Sequence, residues 1–247
     1  RDVERSRGLG DVYKRQDIVH PDGITGVIYK AGEQVATLTT DKNGQASVDG
    51  LYLGDYYVKE ISPSVGYLAD ETEHDLVCNY EGDLVAEVKR DCTSLEQVMK
   101  QPFQIIKAAN NGKTDADLLK GAGFTAYLES SLTKKADGSY DFDSATPVVI
   151  GENGATEMFT DEKGYACSIA LPYGTYIVRE TTTPHNYTPV DDFTVRITEN
   201  NPNQPQTWRV LLDDEFEAKL KIIKQDDETK KPVLQKNTES VSYTHLT

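Results

Sequence analysis

TTDKNGQASVDGLYLGDYYVKEISPSVGY (Thr39–Tyr67) recurs 120 positions later as FTDEKGYACSIALPYGTYIVRETTTPHNY (Phe159–Tyr187). The two stretches align without a gap, and matching pairs such as Glu60 and Glu180 keep the same spacing throughout. A gapless internal repeat of this length indicates tandem copies of one structural unit.

A second, shorter repeat marks where each unit begins. FQIIK (Phe103–Lys107) recurs as LKIIK (Leu220–Lys224), so one unit begins near Gln101 and closes near Phe216. The unit before it retains the later strands but lacks a recognisable first strand. The predicted organisation is an N-terminally truncated domain over 17–100, a complete domain over 101–217, and the first strand of a third domain over 218–240.

The two ends of the sequence do not continue these patterns. Arg1–Gln16, which ends in GDVYKRQ, and Val241–Thr247, which reads VSYTHLT, resemble translated adaptor sequence found at the ends of proteins from metagenomic assemblies. We expect 1–16 and 241–247 to be non-native and leave them out of the expected fold. The alternative is an authentic disordered tail at each end.

Each unit reads as short strands separated by turns. Gly44 and Gly164 follow polar runs that are typical of tight turns, and the proline-rich connection Thr181–Pro184 breaks any helical pattern. Several short strands in about 115 residues predict an all-β fold of tandem Greek-key β-sandwiches.

Composition excludes several functional classes. The chain has 247 residues, with 41 acidic and 26 basic side chains, a net charge of −15 and a pI near 4.7. This charge argues against nucleic acid or an anionic membrane as partner, and no apolar run is long enough to insert into a bilayer. His20, His74 and His185 lack ligand spacing, and there is no phosphate-binding loop, so we expect no metal and no other cofactor.

Two charged side chains fall on apolar faces. Residues i, i+2 and i+4 of a strand point the same way, so Glu180 shares a face with Tyr176 and Val178. In FQIIK, Lys107 shares a face with Phe103 and Ile105. A buried charge must pair or become neutral, and an amine beside a protonated carboxyl has a nucleophile and a proton shuttle available.

The order of these motifs resembles a known family. In chain order, the motifs are a first-strand lysine, GAGF, TD-x-x-G, L-x-x-G-x-Y-x-V-x-E and a closing tyrosine. This order is similar to that of the prealbumin-like repeats (SpaA-type, or collagen-adhesin B-type) of Gram-positive surface proteins and pilins. The resemblance covers nearly everything between Asp17 and Asn237. It implies an intramolecular isopeptide bond between the first-strand lysine and an Asn or Asp of the last strand, assisted by the glutamate. Carried over, Lys107 is the amine and Glu180 the proton shuttle.

The acceptor has two candidates, Asp213 and Asp214, in the last strand WRVLLDDEF. Alternation places Asp214 on the face of Trp208, Val210 and Leu212, which favours Asp214. An aspartate acceptor releases water, whereas the more usual asparagine releases ammonia.

The incomplete repeats keep only parts of this set. The first unit has Glu60 in the glutamate position and Glu96 and Gln97 where the acceptor would lie, each one methylene longer than Asp or Asn. Its lysine is missing, so we expect Glu60 to have no bond to catalyse. The third unit keeps Lys224 alone.

The expected role is mechanical. The resemblance implies a stalk, spacer or pilin-type module of a secreted, cell-wall-attached surface protein of a Gram-positive bacterium. Such a module is not an enzyme beyond one autocatalytic turnover, and its partners are other domains of the same protein and a host or partner glycoprotein. The alternatives are an adhesin module that binds a host protein or glycan directly and an accessory domain of a secreted glycosidase. Without the bond, Lys107 and Glu180 are a buried ion pair or edge residues with solvated charged ends.

Overall fold

The computed structural model describes residues 9–20, 22–113, 116–216 and 223–232. Contacts divide the chain into two units, Arg1–Glu215 and Phe216–Thr247. The first unit contains both copies of the long repeat and consists of several β-sheets, which confirms the predicted all-β class.

The first repeat is built around one antiparallel sheet. Its strands are β1 (Leu9–Lys14), β2 (Ile18–Val19), β3 (Val27–Tyr29), β4 (Gln34–Thr39), β5 (Gly54–Ser62), β6 (Tyr67–Leu68), β7 (His74–Cys78) and β8 (Gln97–Val98). The main sheet has the order β4-β1-β5-β7, while β2 pairs with β3 and β6 pairs with β8.

Strand β1 lies within 1–16, the segment predicted to be non-native. It lies between β4 and β5, and Val12 and Lys14 are both buried. The lysine on the inward face hides the two-residue period that would otherwise identify a strand. This corrects the expectation that 9–14 takes no part in the fold, while the proposed adaptor origin of 1–16 stays a prediction.

The second repeat contains two facing sheets. Its strands are β9 (Lys100–Gln101), β10 (Gln104–Ala109), β11 (Gly123–Leu128), β12 (Thr133–Lys134), β13 (Tyr140–Asp141), β14 (Glu157–Phe159), β15 (Tyr165–Cys167), β16 (Leu171–Pro172), β17 (Gly174–Thr182), β18 (Phe193–Ile197) and β19 (Arg209–Asp213), with 3₁₀ turns at Glu129–Ser131 and Glu152–Gly154. One sheet has the order β14-β11-β17-β18 and the other β15-β10-β19. In the second sheet, β10 pairs antiparallel with β15 and parallel with β19, so the first and last long strands are neighbours.

The hydrophobic core lies between these two sheets. It includes Phe103 and Ile105 from the β10 side and Phe124, Val178 and Ile197 from the opposite sheet, each no more than 2% exposed. The inward positions predicted for YIVRE and FQIIK are therefore confirmed. Burial of this apolar surface is the main term that stabilises the two-layer arrangement.

The predicted turn glycines have the same conformation but different surroundings. Gly44 has φ of 75° and Gly164 has φ of 64°, values that favour glycine. A Cβ atom on Gly44 would meet nothing within 4 Å, whereas one on Gly164 would overlap the carbonyl oxygen of Lys107. The turn of the second repeat thus packs directly against β10.

The junction between the repeats is a single residue whose backbone is hydrogen-bonded on both sides. Met99 separates β8 from β9; its N–H donates to the Gly66 carbonyl at 2.8 Å, and its carbonyl accepts from the Tyr173 N–H at 2.8 Å. The backbone of this residue is therefore hydrogen-bonded to both repeats.

The second unit is described at Phe216 and over 223–232, and Gln225 and Pro232 form a β-bridge. Most of the predicted strand Leu220–Lys224, and all of 241–247, lies outside the described residues. Across the described ranges, no helix combines the length and the apolar character needed to cross a membrane.

Candidate functional site

The candidate site lies in the core of the second repeat, where Lys107 points inward from β10. Its side chain is fully buried because strand alternation puts it on the face of Ile105. The Nζ atom lies 2.7 Å from Oε2 of Glu180 and also forms an ion pair with Oδ1 of Asp213. All three charged side chains have no exposed surface.

Two strands bring the carboxyl groups to the amine. Glu180 lies on β17, and its Oε2 also accepts the backbone N–H of Val190 at 3.1 Å, which fixes the carboxylate. Asp213 lies at the end of β19, opposite Ala109 in the parallel register. From there its side chain reaches back to the amine of Lys107, two residues earlier on β10.

The structure places Asp213, not Asp214, beside the lysine. Asp213 is 1% exposed, whereas Asp214 is exposed and accepts a hydrogen bond from Nδ2 of Asn110 at 2.7 Å. The parity argument that favoured Asp214 is therefore wrong.

The cause of that error is the apolar outer face of β19. Trp208, Val210 and Leu212 are 55%, 60% and 48% exposed, and the Trp208 ring packs against Tyr165 at 5.3 Å between ring centroids. An apolar residue on this strand therefore does not mark the buried face.

The electrostatics of the site are unbalanced if all three groups are charged. One amine faces two carboxylates, which would bury a net negative charge, and a buried unpaired charge is costly. Burial raises the pKa of Asp213 to about 6, and the neighbouring Glu180 also raises it, while Lys107 acts in the opposite direction. Oε1 of Glu180 and Oδ2 of Asp213 have no hydrogen-bond partner among the described residues. A proton on Asp213 would make the site neutral.

This arrangement has the parts needed for condensation. An amine contacts a carboxyl group of the neighbouring strand, a second carboxyl contacts the amine, and water is excluded. Close approach in a fixed geometry is what makes a slow amide-forming step intramolecular and fast.

The described part of the first repeat has the carboxyl groups but no lysine in the position of Lys107. Oε2 of Glu60 accepts the backbone N–H of Asp70 at 2.6 Å, as its counterpart Glu180 does in the second repeat. Burial raises the pKa of Glu96, and so do the charge of the neighbouring Glu60 and a hydrogen bond that the protonated Glu96 donates to Glu60. Gln97 lies on β8 and is exposed, and Lys224 is an exposed residue of the second unit.

Sequence reasoning missed a second buried lysine. Lys14 has no exposed surface, its Nζ lies 3.2 Å from the centroid of the Tyr56 ring, and that Nζ has no hydrogen-bond partner among the described residues. Burial lowers the pKa of Lys14 to about 8. The alternation Val12-x-Lys14 is a signal for it, but it falls in the segment predicted to be non-native.

No group of three or more His, Cys, Asp or Glu side chains that could hold a metal ion occurs within the part of the chain that the structure describes.

The chain has two β-sheet repeats, and the second buries a lysine of β10 beside carboxyl groups of β17 and β19. These features define a tandem β-sandwich protein. The chain belongs to the SpaA family of prealbumin-like fold domains, whose family model matches residues 17–91 and 102–209. This assignment confirms the resemblance and the fold class. No curated protein matches this chain.

One solved structure shares this fold at a TM-score above 0.5. The Bacillus anthracis TIE protein superposes with a TM-score of 0.51 at 24% identity over 86% of this chain, and the chain spans 32% of that protein's length. The minor pilin GBS52 of Streptococcus agalactiae gives 0.40 at 14% identity, covering 88% of this chain and 86% of the pilin. The shaft pilin SpaA of Lactobacillus rhamnosus GG gives 0.33 at 19% identity, with 86% of each chain covered.

Proposed function

We propose that this chain is a load-bearing stalk or pilin-type segment of a Gram-positive cell-surface protein, and that its second repeat is closed by a Lys107–Asp213 isopeptide bond. The observation that carries this proposal is the fully buried ion pair between the Lys107 amine and Asp213 on two neighbouring parallel strands, with Glu180 beside them. Membership in the prealbumin-like family supports it.

The position of the pair suits a mechanical role. Strand β10 follows the point where the chain enters the second repeat, and β19 precedes the point where it leaves. Because the two strands are parallel neighbours, tension applied to the chain shears one strand along the other. A covalent bond between Lys107 and Asp213 carries that tension directly and leaves the residues between them unloaded.

The proposed step balances. The Lys107 nitrogen attacks the Asp213 carboxyl carbon, a C–N bond forms, and one C–O bond breaks. Glu180 accepts a proton from the amine and delivers it to the departing oxygen, which leaves as water. Starting from an ammonium, a carboxylate and a protonated carboxyl, the products are a neutral amide, water and a protonated Glu180. The reaction therefore removes the only pair of opposite charges from the site.

The test is the intact mass of the full chain measured after denaturation. We expect a deficit of about 18 Da, the mass of one water lost in condensation. The deficit disappears in Lys107→Ala and in Asp213→Ala, and it falls sharply in Glu180→Ala.

Asp214→Ala is the matched control, because it removes the adjacent carboxylate but leaves the buried triad intact. It is expected to keep the full deficit. A wild-type mass equal to that of the linear sequence would refute the bond and leave Lys107 as part of a buried ion network. Loss of the mass deficit in Asp214→Ala would show that the acceptor is Asp214 and not Asp213.

A further inference from the structure

A polar groove lies on the surface of the second repeat, at the start of β19. Its volume is about 750 Å³, within the range of about 300–1,000 Å³ that is usual for small-ligand sites. It is lined by residues of the connection 198–208 between β18 and β19, together with Gln101 and Arg209. The groove is separate from the Lys107 site, which has no exposed surface.

The connection that forms the groove is fixed to the segment 100–104. The Asn201 N–H donates to the Lys100 carbonyl at 2.9 Å, and the Gln206 N–H donates to the Pro102 carbonyl at 2.9 Å. Nε2 of Gln104 donates to the Gln206 carbonyl at 2.8 Å. Because the connection is already ordered, a ligand that binds to it pays little for ordering the loop.

Trp208 gives the groove an exposed aromatic surface. It is the chain's single tryptophan, and 55% of its surface is exposed. The Tyr165 ring supports it at 5.3 Å between ring centroids, and the Tyr165 hydroxyl donates to Oε1 of Gln104 at 3.2 Å. The indole is therefore held in place from one side and open to a ligand on the other surface that it exposes.

The polar lining is available for a ligand and carries no net charge. Among the described residues, the side chains of Thr198, Gln204 and Thr207 have no hydrogen-bond partner. The charged lining residues are one acid, Glu199, and one base, Arg209. The groove therefore offers hydroxyl and amide groups, which both donate and accept hydrogen bonds, in a neutral setting.

This combination matches a neutral sugar better than an anion or an apolar peptide. For an anion the lining has a single cation, Arg209, which lies over the Phe193 ring and is opposed by Glu199. For apolar peptide side chains it has two apolar residues, Pro205 and Trp208. A sugar with equatorial hydroxyls presents C–H groups on the faces of its ring and hydroxyls around the rim, and partly positive C–H groups are attracted to the negative face of an indole.

We propose that this groove binds a neutral, β-linked oligosaccharide of gluco configuration, with one sugar ring stacked on Trp208 and its hydroxyls hydrogen-bonded to Thr207 and Gln204. The β-linked gluco configuration keeps every ring substituent equatorial, which leaves the ring faces free for stacking. The binding does not depend on whether Lys107 and Asp213 are covalently joined.

The test uses the full chain and two probes, cellohexaose and chitohexaose. Because Trp208 is the single tryptophan, its fluorescence reports on the groove directly. At least one of the two probes is expected to change the emission saturably, with a dissociation constant of about 1 mM or below. Isothermal titration calorimetry measures the same constant without the indole and is therefore the readout for the variants.

Trp208→Ala is expected to weaken binding at least about tenfold, because it removes the stacking surface. Thr207→Val keeps the shape of the side chain but removes its hydroxyl, and is expected to weaken binding about threefold to tenfold. Val210→Ala is the matched control, because Val210 is the next outward residue of the same strand, is 60% exposed and does not line the groove. All three side chains are exposed, so urea midpoints close to that of the wild type are expected and would show that each variant is folded.

Four results would each overturn the proposal. They are no saturable response to either probe up to about 10 mM, unchanged affinity in Trp208→Ala, an equal loss in Val210→Ala, and tighter binding of a hexaproline peptide than of both sugars. The last result would assign the groove to a peptide. None of these measurements depends on the mass deficit of about 18 Da expected from condensation, so failure here leaves the proposed cross-link standing.

Discussion

Breaking the proposed cross-link with Lys107→Ala should change how far the chain extends under force. About 105 residues lie between Lys107 and Asp213. At roughly 3.4 Å per residue, they represent about 350 Å of chain that an intact bond keeps out of the load path. The same closure is expected to stabilise the repeat by about 4–5 kcal/mol, the loop-entropy value for a covalent loop of this size.

Single-molecule force spectroscopy of the full chain, held at its two ends between marker domains, measures this length. The wild-type second repeat is expected to contribute no length increment, because tension passes from β10 to β19 through the covalent bond. Lys107→Ala is expected to add one increment of about 350 Å when the second repeat unfolds.

Lys120→Ala is the control, because Lys120 is an exposed lysine that pairs with Glu162 on the surface. It should behave as the wild type does. A wild-type trace that contains the 350 Å increment would refute the load-path argument, whatever the stability of the repeat.

Three further predictions follow from individual contacts. Gly164→Ala should lower the unfolding free energy of the second repeat by about 3 kcal/mol, because alanine disfavours the positive φ and its Cβ clashes with β10. Gly44→Ala should lower that of the first repeat by about 1 kcal/mol, because only the positive φ is disfavoured. Urea midpoints of the two variants measure the difference, and equal losses would contradict it. Lys14→Met should stabilise the first repeat, because it removes a buried amine without a hydrogen-bond partner among the described residues. Burial lowers the folded-state pKa of Lys14 to about 8 from 10.5, so between these two pH values the unfolded state binds more protons than the folded state. The stability of the wild type therefore rises with pH across this range. Hydrogen exchange of β5 amides should show this rise in the wild type and not in Lys14→Met. Asp213→Asn should change the mass deficit from about 18 Da to about 17 Da, because ammonia leaves in place of water, and an unchanged 18 Da deficit would exclude Asp213 as acceptor.

Repetition within the sequence made much of the fold predictable. The 120-residue spacing identified equivalent turns and strands without any structural information, and alternation in the two short motifs placed Lys107 and Glu180 on buried faces. Their contact follows because both face one core from opposite sheets. These inferences rest on short-range periodicity, which a strand imposes on its own sequence.

The sequence of β19 alone could not identify the acceptor of the proposed isopeptide bond. Both faces of β19 carry apolar residues, so periodicity alone could not distinguish the core from the outer face. The distinction comes from the parallel register with β10, a pairing between residues more than a hundred positions apart. Lys14 was missed for a related reason, because a lysine at a core position resembles a break in the strand pattern.

One strand accounts for most of the difference between the two repeats. In the second repeat, β10 covers the apolar sheet face, gives β15 its pairing partner, packs against the Gly164 turn and supplies the amine between two carboxyl groups. In the first repeat, the same sheet face is an open cleft, the segment matching β15 has no strand pairing, and the two carboxyl groups face each other. In the second repeat, β10 therefore both covers the core and supplies the cation of the site.

The register of that strand also makes the proposed bond selective for the native fold. Asp213 reaches Lys107 only when β19 is aligned so that Ala109 lies opposite Asp213. A slip of one residue would turn Asp213 to the outer face and bring Asp214 inward, because side chains alternate along a strand. Pairing of β10 with β19 also closes the longest loop in the repeat, which carries the largest loop-closure entropy cost. Condensation therefore requires the native register of the two strands and would lock that register in place.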